Sequence, residues 1–193
     1  MARTRKITDE QILQAAQAVF LEKGFGASTL EIAERAGISE GSIFKRFATK
    51  KNLFVAAMGT PNTPPWLPLL ETVVGQGDLK ENLKTIGLKV IEFFQDNLPK
   101  VMVAMSKGGP LPTMMRSNLA LPIQNLKALT QFFEQEIALG RMQASHPQTV
   151  ALIFMGSLRT YVFLNQLSAP LPAAQDYVDS MVNTFWKSIQ PEN

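Results

Sequence analysis

Apolar residues recur three or four positions apart along most of this 193-residue chain, a spacing that is typical of amphipathic α-helices. The first such stripe follows Thr8 and Asp9, which can open a helix, and precedes Gly24, which can close it. Its members are Ile12, Ala15, Ala16, Val19 and Phe20. No alternating run of apolar and polar residues bounded by turn residues indicates a strand. The pattern therefore predicts an all-α fold.

Residues 28–54 predict two short helices, a tight turn between them and the start of a third helix. Thr29 is the predicted N-cap of the first short helix. The apolar face predicted for that helix consists of Leu30, Ile32, Ala33 and Ala36. Gly37 can adopt the left-handed conformation that ends a helix, and Ser39 can cap the helix that follows.

The second short helix has one apolar side and one basic side. Ile43 and Phe47 lie four residues apart on the inner side, whereas Lys45 and Arg46 project toward solvent or a polyanion. Two helices at a steep angle, of which the second is basic on its outer face, are typical of a helix-turn-helix that binds in the major groove of DNA.

The spacing of motif positions over residues 8–56 closely resembles that of the TetR family of bacterial transcription regulators. The positions that carry the resemblance are Ile12, Ala15, Phe20, Gly24, Thr29, Ile32, Ala33, Gly37, Ile38, Ser39, Gly41, Ser42, Ile43, Phe44, Phe47 and Lys50. The resemblance implies an all-α fold with an N-terminal three-helix helix-turn-helix domain and a C-terminal helical bundle for ligand binding and dimerisation. We place the domains at residues 1–50 and 51–193.

The resemblance also implies which residues contact DNA. They are Thr29, Ser39, Glu40, Gly41, Ser42, Phe44, Lys45, Arg46 and Lys50. Thr29, Ser39 and Lys50 would hold phosphates, while Gly41 would permit close approach. The family usually has Tyr at position 44, so Phe44 keeps the packing but lacks a hydroxyl that commonly touches a phosphate. Lys45 and Arg46 replace frequent His residues and predict a steeper salt dependence.

The excess positive charge of the chain lies in this N-terminal segment. Residues 1–51 contain nine Lys/Arg and six Asp/Glu, whereas residues 52–193 contain ten of each. A surplus of cations beside the proposed DNA-binding helices is what a phosphate backbone requires. Arg3, Arg5 and Lys6 also form a basic arm, which either enters the minor groove or is a disordered terminus.

Several kinds of site are not expected from this sequence. Cysteine is absent, so disulfides and thiolate metal sites are excluded, and we expect no metal or other cofactor. The N-terminus lacks the apolar core of a signal peptide, and no apolar run reaches the ~18 residues of a membrane span, so we expect a cytoplasmic protein. His146, the single histidine, lies in a polar turn, and no convergent set of acids and bases predicts an enzyme.

A proline-rich segment separates the motif from the remaining helices. Its prolines are Pro61, Pro64, Pro65 and Pro68. They forbid a continuous helix, so the fourth helix should end near Met58, whereas family members usually run it onward into the larger domain. Trp66 is predicted to pack into the core. The helices predicted further along the chain cover residues 78–97, with Pro99 as a kink or new start, 119–137, 147–167 and 172–189.

The last two predicted helices have apolar surfaces wider than one chain can cover, which predicts a homodimer through them. Helix bundles rich in Phe and Met can also enclose apolar cavities. The candidate ligand-binding residues are Phe94, Met102, Met105, Phe133, Arg159, Tyr161 and Asn165. Core packing is the alternative for the apolar members. For Arg159 the alternative is an ion pair with Asp176 or Asp179 at the dimer interface.

These observations predict a homodimeric transcription regulator, in the first place a repressor, whose two recognition helices bind a palindromic operator in double-stranded DNA. By resemblance, a small and largely apolar ligand would favour a spacing of these helices that no longer fits the operator. Two alternatives stay open. One is a constitutive or architectural DNA-binding protein of the same fold, and the other is a small-molecule-binding bundle or enzyme with a vestigial DNA module.

Overall fold

The computed structural model describes residues 7–59, 63–105 and 120–191, apart from the side chains of residues 120 and 121. Within these ranges the chain forms nine α-helices and no strand, so the predicted all-α fold is confirmed. The helices are α1 (Asp9–Lys23), α2 (Thr29–Ala36), α3 (Glu40–Phe47), α4 (Lys50–Met58), α5 (Trp66–Val73), α6 (Leu79–Met105), α7 (Ala120–Ala138), α8 (Pro147–Gln166) and α9 (Ala174–Ile189). The basic arm with Arg3, Arg5 and Lys6 lies outside the described residues.

The chain divides into two compact units. The first comprises Met1–Thr60 and Asn97–Ser117, and the second comprises Pro61–Asp96 and Asn118–Asn193. The last turns of α6 therefore belong to the first unit, while its earlier turns belong to the second. The domain boundary at residue 50, which follows from the length of the motif, stays a prediction.

The first unit is built around α1. Thr8 caps α1 through a reciprocal capping box with Gln11, and Gly24 ends the helix with a φ of 73°. The fully buried residues of the predicted stripe are Ile12, Ala16, Val19 and Phe20. Phe54 of α4 packs edge-on against Phe20, with ring centroids 4.8 Å apart. Ala104, near the end of α6, is buried in the same core.

The second unit has an aromatic core between α7, α8 and α9. The ring of Phe154 lies 6.1 Å from that of Phe133 and 5.7 Å from that of Phe185. Gly87 of α6 faces this core, because a Cβ atom at that position would lie 3.1 Å from Val178 and 3.6 Å from Leu158. The missing side chain therefore allows α6 to approach α8 and α9 closely.

A buried carboxylate joins the loop between α5 and α6 to the loop between α7 and α8 in the second unit. Glu136 is fully buried on α7, and its Oε1 accepts a hydrogen bond from the Gly75 backbone N–H at 2.9 Å. Its Oε2 lies 2.7 Å from Arg141 Nε, and Arg141 also donates to the Gln76 carbonyl at 2.9 Å. Because the charge is paired and hydrogen-bonded, its burial is tolerated, and the α5–α6 connection is held against α7.

One feature of the proline-containing segments differs from the sequence prediction. The prediction that α4 ends at Met58 is confirmed, and Trp66 is fully buried as expected, but Trp66 also starts a helix that was not predicted. Pro68 lies in the first turn of α5, where a helix has no intrahelical partner for its N–H groups, so proline is tolerated there. Pro99 lies inside α6, which continues through it to Met105.

No helix in the described ranges combines the length and the apolar character that a membrane crossing requires.

Candidate nucleic-acid interface

The N-terminus of α2 differs by one residue from the prediction. Ser28, in an extended conformation, is the N-cap, and its Oγ accepts from the Leu30 N–H at 3.1 Å. Thr29 is instead the first helical residue, is buried, and its hydroxyl donates to the carboxylate of Glu40. Both residue types can cap helices, so the sequence did not distinguish them. Thr29 and Glu40 therefore hold the starts of α2 and α3 together, and their proposed contacts with DNA stay a prediction.

The turn between α2 and α3 has the predicted geometry. Gly37 is left-handed, with φ 69° and ψ 34°, and the Ile38 N–H donates to the Ala33 carbonyl at 3.0 Å. Ser39 caps α3, because its Oγ accepts from the Ser42 N–H at 3.3 Å. The two hydroxyls are also within 2.8 Å of each other, so the first turn of α3 is held in place.

The outer face of α3 is defined by four exposed positions at helical spacing. They are Gly41, Phe44 and Lys45 of α3, and Ala48, the C-cap that follows it. Ile43, on the opposite side, is fully buried in the core of the first unit. Phe44 is 39% exposed, and its predicted role in place of the family's Tyr stays a prediction. The outer face thus carries one cation, one aromatic ring and two positions with little or no side chain.

The two basic residues at the end of α3 have different environments. Arg46 Nη1 lies 2.9 Å from Asp9 Oδ1 and donates to the Ile7 carbonyl at 2.9 Å. Arg46 is exposed, as predicted, but its guanidinium joins the end of α3 to the start of α1, and its contact with DNA stays a prediction. Lys45 is exposed and has no ion-pair partner in the described part of the chain.

Lys50 lies at the start of α4, where Thr49 is the N-cap. Its ammonium group is 5.0 Å from the centre of the Phe25 ring, which fixes the cation without neutralising it. Lys51, the next residue, is exposed and unpaired among the described residues. It was not singled out from the sequence, although two consecutive cations at a helix start beside the motif were a usable signal.

Other cations of the first unit form ion pairs between α1 and α2. Arg35 Nη2 lies 2.8 Å from Glu22 Oε1, and Lys23 Nζ lies 2.5 Å from Glu31 Oε1. The hydrogen bond from Arg35, reinforced by its charge, lowers the pKa of Glu22. These cations are partly neutralised, so Lys45, Lys50 and Lys51 carry the positive potential around α3.

The candidate ligand-binding residues have several different environments. Phe133 belongs to the aromatic core of the second unit, and Asn165 is exposed. The Tyr161 hydroxyl donates to the Pro172 carbonyl at 2.8 Å. Met102 and Met105 are exposed on the turns of α6 that belong to the first unit. Their role in ligand binding stays a prediction.

Phe94 and Arg159 are the members of this set that the structure brings into contact, because the guanidinium lies 5.3 Å from the ring centre. No carboxylate within the described ranges pairs with Arg159. Asp179 instead accepts a hydrogen bond from Gln175 and lies 3.3 Å from Lys84 Nζ. The bond from Gln175, followed by that from Lys84, lowers the pKa of Asp179.

A half-open groove of about 350 Å³ lies between α5 and α7 in the second unit. Its walls are Thr63, Leu67, Pro68, Leu70, Glu71, Ala128, Gln131, Phe132 and Gln135. The groove was not predicted, because α5 was not predicted either. Glu71 is the one residue of the lining that carries a formal charge.

A basic recognition helix on a helix-turn-helix, within an all-α chain, defines a DNA-binding transcription regulator. Residues 12–57 match the family model for bacterial regulatory proteins of the tetR family. Over these residues the chain therefore carries the helix-turn-helix of the tetR family.

One relative and two solved structures are similar to this chain over most of its length. The chain is 26% identical over 161 residues to YvkB, an uncharacterized HTH-type transcriptional regulator of Bacillus subtilis (strain 168), with 83% of each chain covered. A putative TetR-family regulator from Mesorhizobium loti MAFF303099 has the same fold, with a TM-score of 0.74, 20% identity and coverage of 94% and 96%. SmeT, the repressor of the Stenotrophomonas maltophilia multidrug efflux pump SmeDEF, has a TM-score of 0.69, with 16% identity and coverage of 97% and 93%.

Proposed function

We propose that this regulator is a homodimeric repressor that binds a palindromic operator and is released by a small, largely apolar ligand. It would act in the cytoplasm, where it meets its operator. The observation that carries the proposal is Lys45 on the outer face of α3. This lysine is exposed, it has no ion-pair partner among the described residues, and Ser39 caps the helix that carries it. A free cation on such a helix is suited to a phosphate or a base edge in the major groove.

The dimer is supported by an apolar stripe that follows α8 and ends at its C-cap, Leu167. Its members and their exposed fractions are Leu152 53%, Ile153 56%, Phe163 46%, Leu164 37% and Leu167 56%. Gly156 lies within the stripe, and nothing is found within 4 Å of a Cβ atom placed there, so a second helix can approach closely. An apolar face of this length is typical of a subunit interface, and a symmetric dimer would present two recognition helices to a palindrome.

The ligand site is supported by the groove between α5 and α7. Leu67, Leu70 and Phe132 supply apolar walls, and Gln131 and Gln135 supply hydrogen-bonding groups at its edge. Glu71 can pair with an amine on an otherwise apolar molecule. SmeT is named as the repressor of a multidrug efflux pump, which makes apolar compounds with a basic group a reasonable first library for this chain.

The coupling between ligand and DNA would run through elements that continue from the second unit into the first. Trp66 starts α5 eight positions after Met58, where α4 ends, and α6 contributes buried residues to both units. A ligand that displaces α5 or α6 would therefore change the position of α4 or of the core around Ala104. This route would replace the longer fourth helix of other family members.

The operator is the first quantity to measure. Selection of bound duplexes from a random DNA pool should give a palindrome, and gel-shift titration should give one dimer per duplex. Failure to enrich any sequence, together with no duplex binding at low ionic strength, would contradict the assignment of α3 as a DNA-binding helix.

Ligand release is tested separately on the selected duplex. Compounds from the basic apolar library should lower the affinity for DNA, and Leu67→Trp, which fills the groove, should abolish that response while operator binding persists. Ile123→Trp, on an exposed site of α7, is the matched control and should respond like the unmodified protein. Release that persists in Leu67→Trp would place the ligand elsewhere, and no release by any compound would favour an effector-independent DNA-binding protein.

A further inference from the structure

The outer face of α3 is unusual in presenting a hydrocarbon ring to solvent. Phe44 is 39% exposed, and its ring carries no hydrogen-bond donor or acceptor. Gly41, three residues before it on the same face, and Ala48, the residue that follows the helix, are too small to cover the ring. Contact between this surface and another apolar group removes both from water, which is favourable.

We infer that Phe44 contacts the C5-methyl group of a thymine, and that this contact sets the base preference of the protein at one position of each half-site. The inference rests on the proposed entry of α3 into the major groove. Thymine is the base that presents an apolar group there, whereas the other base edges and the phosphates present polar atoms. An aromatic hydrocarbon pressed against those polar atoms would remove water from them without replacing its hydrogen bonds.

Three contacts fix the position of the ring relative to the groove. Ile43, the neighbour of Phe44, is fully buried and sets the rotation of α3 about its axis. The hydroxyl of Thr29 donates to the Glu40 carboxylate at the start of the helix, and the Ala48 N–H donates to the Phe44 carbonyl at 2.9 Å at its end. Apart from the backbone of its own helix and its chain neighbours, no atom of the described residues lies within 4 Å of the place that a Cβ atom would occupy on Gly41, so the backbone can approach the base edges. The ring is thus held on a rigid element, as selectivity for one methyl group requires.

Uracil substitution tests the contact directly. In the duplex selected from the random pool, each invariant thymine is replaced in turn by deoxyuridine, which lacks only the C5-methyl group. For the unmodified protein we expect the Kd to rise about fourfold at one thymine of a half-site, the change expected for one buried methyl group. Phe44→Ala should bind the thymine and uracil duplexes with equal affinity at that position.

Phe44→Leu is the conservative variant, and it should retain part of the preference for thymine because its side chain is still apolar. Circular dichroism of each variant checks that the helices are intact. Equal binding of thymine and uracil duplexes by the unmodified protein would overturn the inference and leave the regulator assignment standing. A uracil penalty that persists in Phe44→Ala would also overturn it, because another side chain would then contact the methyl group. Failure to bind any duplex would instead contradict the proposed function.

Discussion

Lys45 and Arg46 are adjacent in the sequence and carry the same charge, but they have different partners. The Arg46 guanidinium is held by Asp9 and by the Ile7 carbonyl, and Lys45 extends into solvent. A cation already paired within the protein contributes less to counterion release than a free one, since its field is partly neutralised. The two residues should therefore be separable by experiment.

Lys45→Ala is expected to reduce the slope of log Kd against log salt concentration by about 0.9 for each protomer, which is the value for one lost phosphate contact. Arg46→Ala should change this slope much less. It should instead lower the free energy of unfolding by about 1 kcal/mol, because it removes a partly exposed ion pair and a hydrogen bond. Gel shifts across a salt series and urea unfolding measure the two effects.

Lys127→Ala is the control for this pair, because Lys127 is an exposed cation on α7 in the second unit. It should leave both the salt slope and the stability near the values of the unmodified protein. If Arg46→Ala reduces the slope as much as Lys45→Ala does, the guanidinium must leave Asp9 and bind DNA.

At the scale of elements, the connection between α3 and α4 contains a strained residue. Ala48 has φ 60° and ψ −45°, and the Thr49 N–H donates to the Phe47 carbonyl at 2.6 Å across it. This is the geometry of a γ-turn with positive φ, which residues with a side chain adopt at a cost. The strain lies at the end of the helix that we propose to enter DNA.

Ala48→Gly should raise the free energy of unfolding by about 1 kcal/mol, because glycine adopts positive φ without the steric cost. Thermal or urea unfolding measures the change. Ala56→Gly is the matched control at an exposed helical site of α4, and it should lower stability by about 1 kcal/mol. Equal losses from the two substitutions would show that Ala48 is unstrained.

The α8–α9 pair contains both tyrosines of the protein, stacked with ring centroids 4.3 Å apart. Burial, with smaller contributions from Tyr177 and Asp176, raises the pKa of Tyr161. The folded state therefore favours the neutral phenol. This stabilisation is complete below the pKa of an unfolded tyrosine, about 10, and is lost as pH rises through the higher folded pKa.

Phenolate absorbance in a Tyr177→Phe variant should show Tyr161 ionising at higher pH than free tyrosine. Tyr161→Phe should remove this part of the loss of stability at alkaline pH. An ionisation of Tyr161 at the pH of free tyrosine would mean that α8 and α9 do not bury the ring as described.

The elements of the first unit were largely predictable because their signals are local. Thr8, Gly24, Gly37 and Ser39 act through neighbours a few residues away, and each occupies the predicted cap or turn. The partners of Arg46 lie far from it in the sequence, so its charge alone could not reveal the bond to Asp9. Helix α5 and its groove were missed because prolines usually break helices, and only the structure places Pro68 in a first turn.

At the scale of the whole molecule, the proposed dimer depends on the apolar stripe of α8. Phe163→Asp combined with Leu167→Asp places two charges in the proposed interface, where burial would cost several kcal/mol. We expect a monomer in sedimentation, and a loss of operator affinity, since each half-site would then be bound alone. The unmodified protein should sediment as a dimer.

Ile123→Asp is the matched control, because Ile123 is 71% exposed on α7, outside the stripe. It should sediment as the unmodified protein does. A monomeric mass for the unmodified protein at micromolar concentration would contradict the dimer and the palindrome, and a dimer that survives the double substitution would place the interface elsewhere.

The burial of Trp66 allows the unfolding of this protein to be followed by tryptophan fluorescence. The chain has two tryptophans, Trp66 and Trp186, and both belong to the second unit. Trp66 is fully buried, and its indole N–H has no hydrogen-bond partner among the described atoms, so its fluorescence emission should lie at short wavelength. Its helix also forms one wall of the groove. Tryptophan fluorescence therefore reports the second unit alone, while circular dichroism reports both units, and the order in which they unfold can be determined without any label.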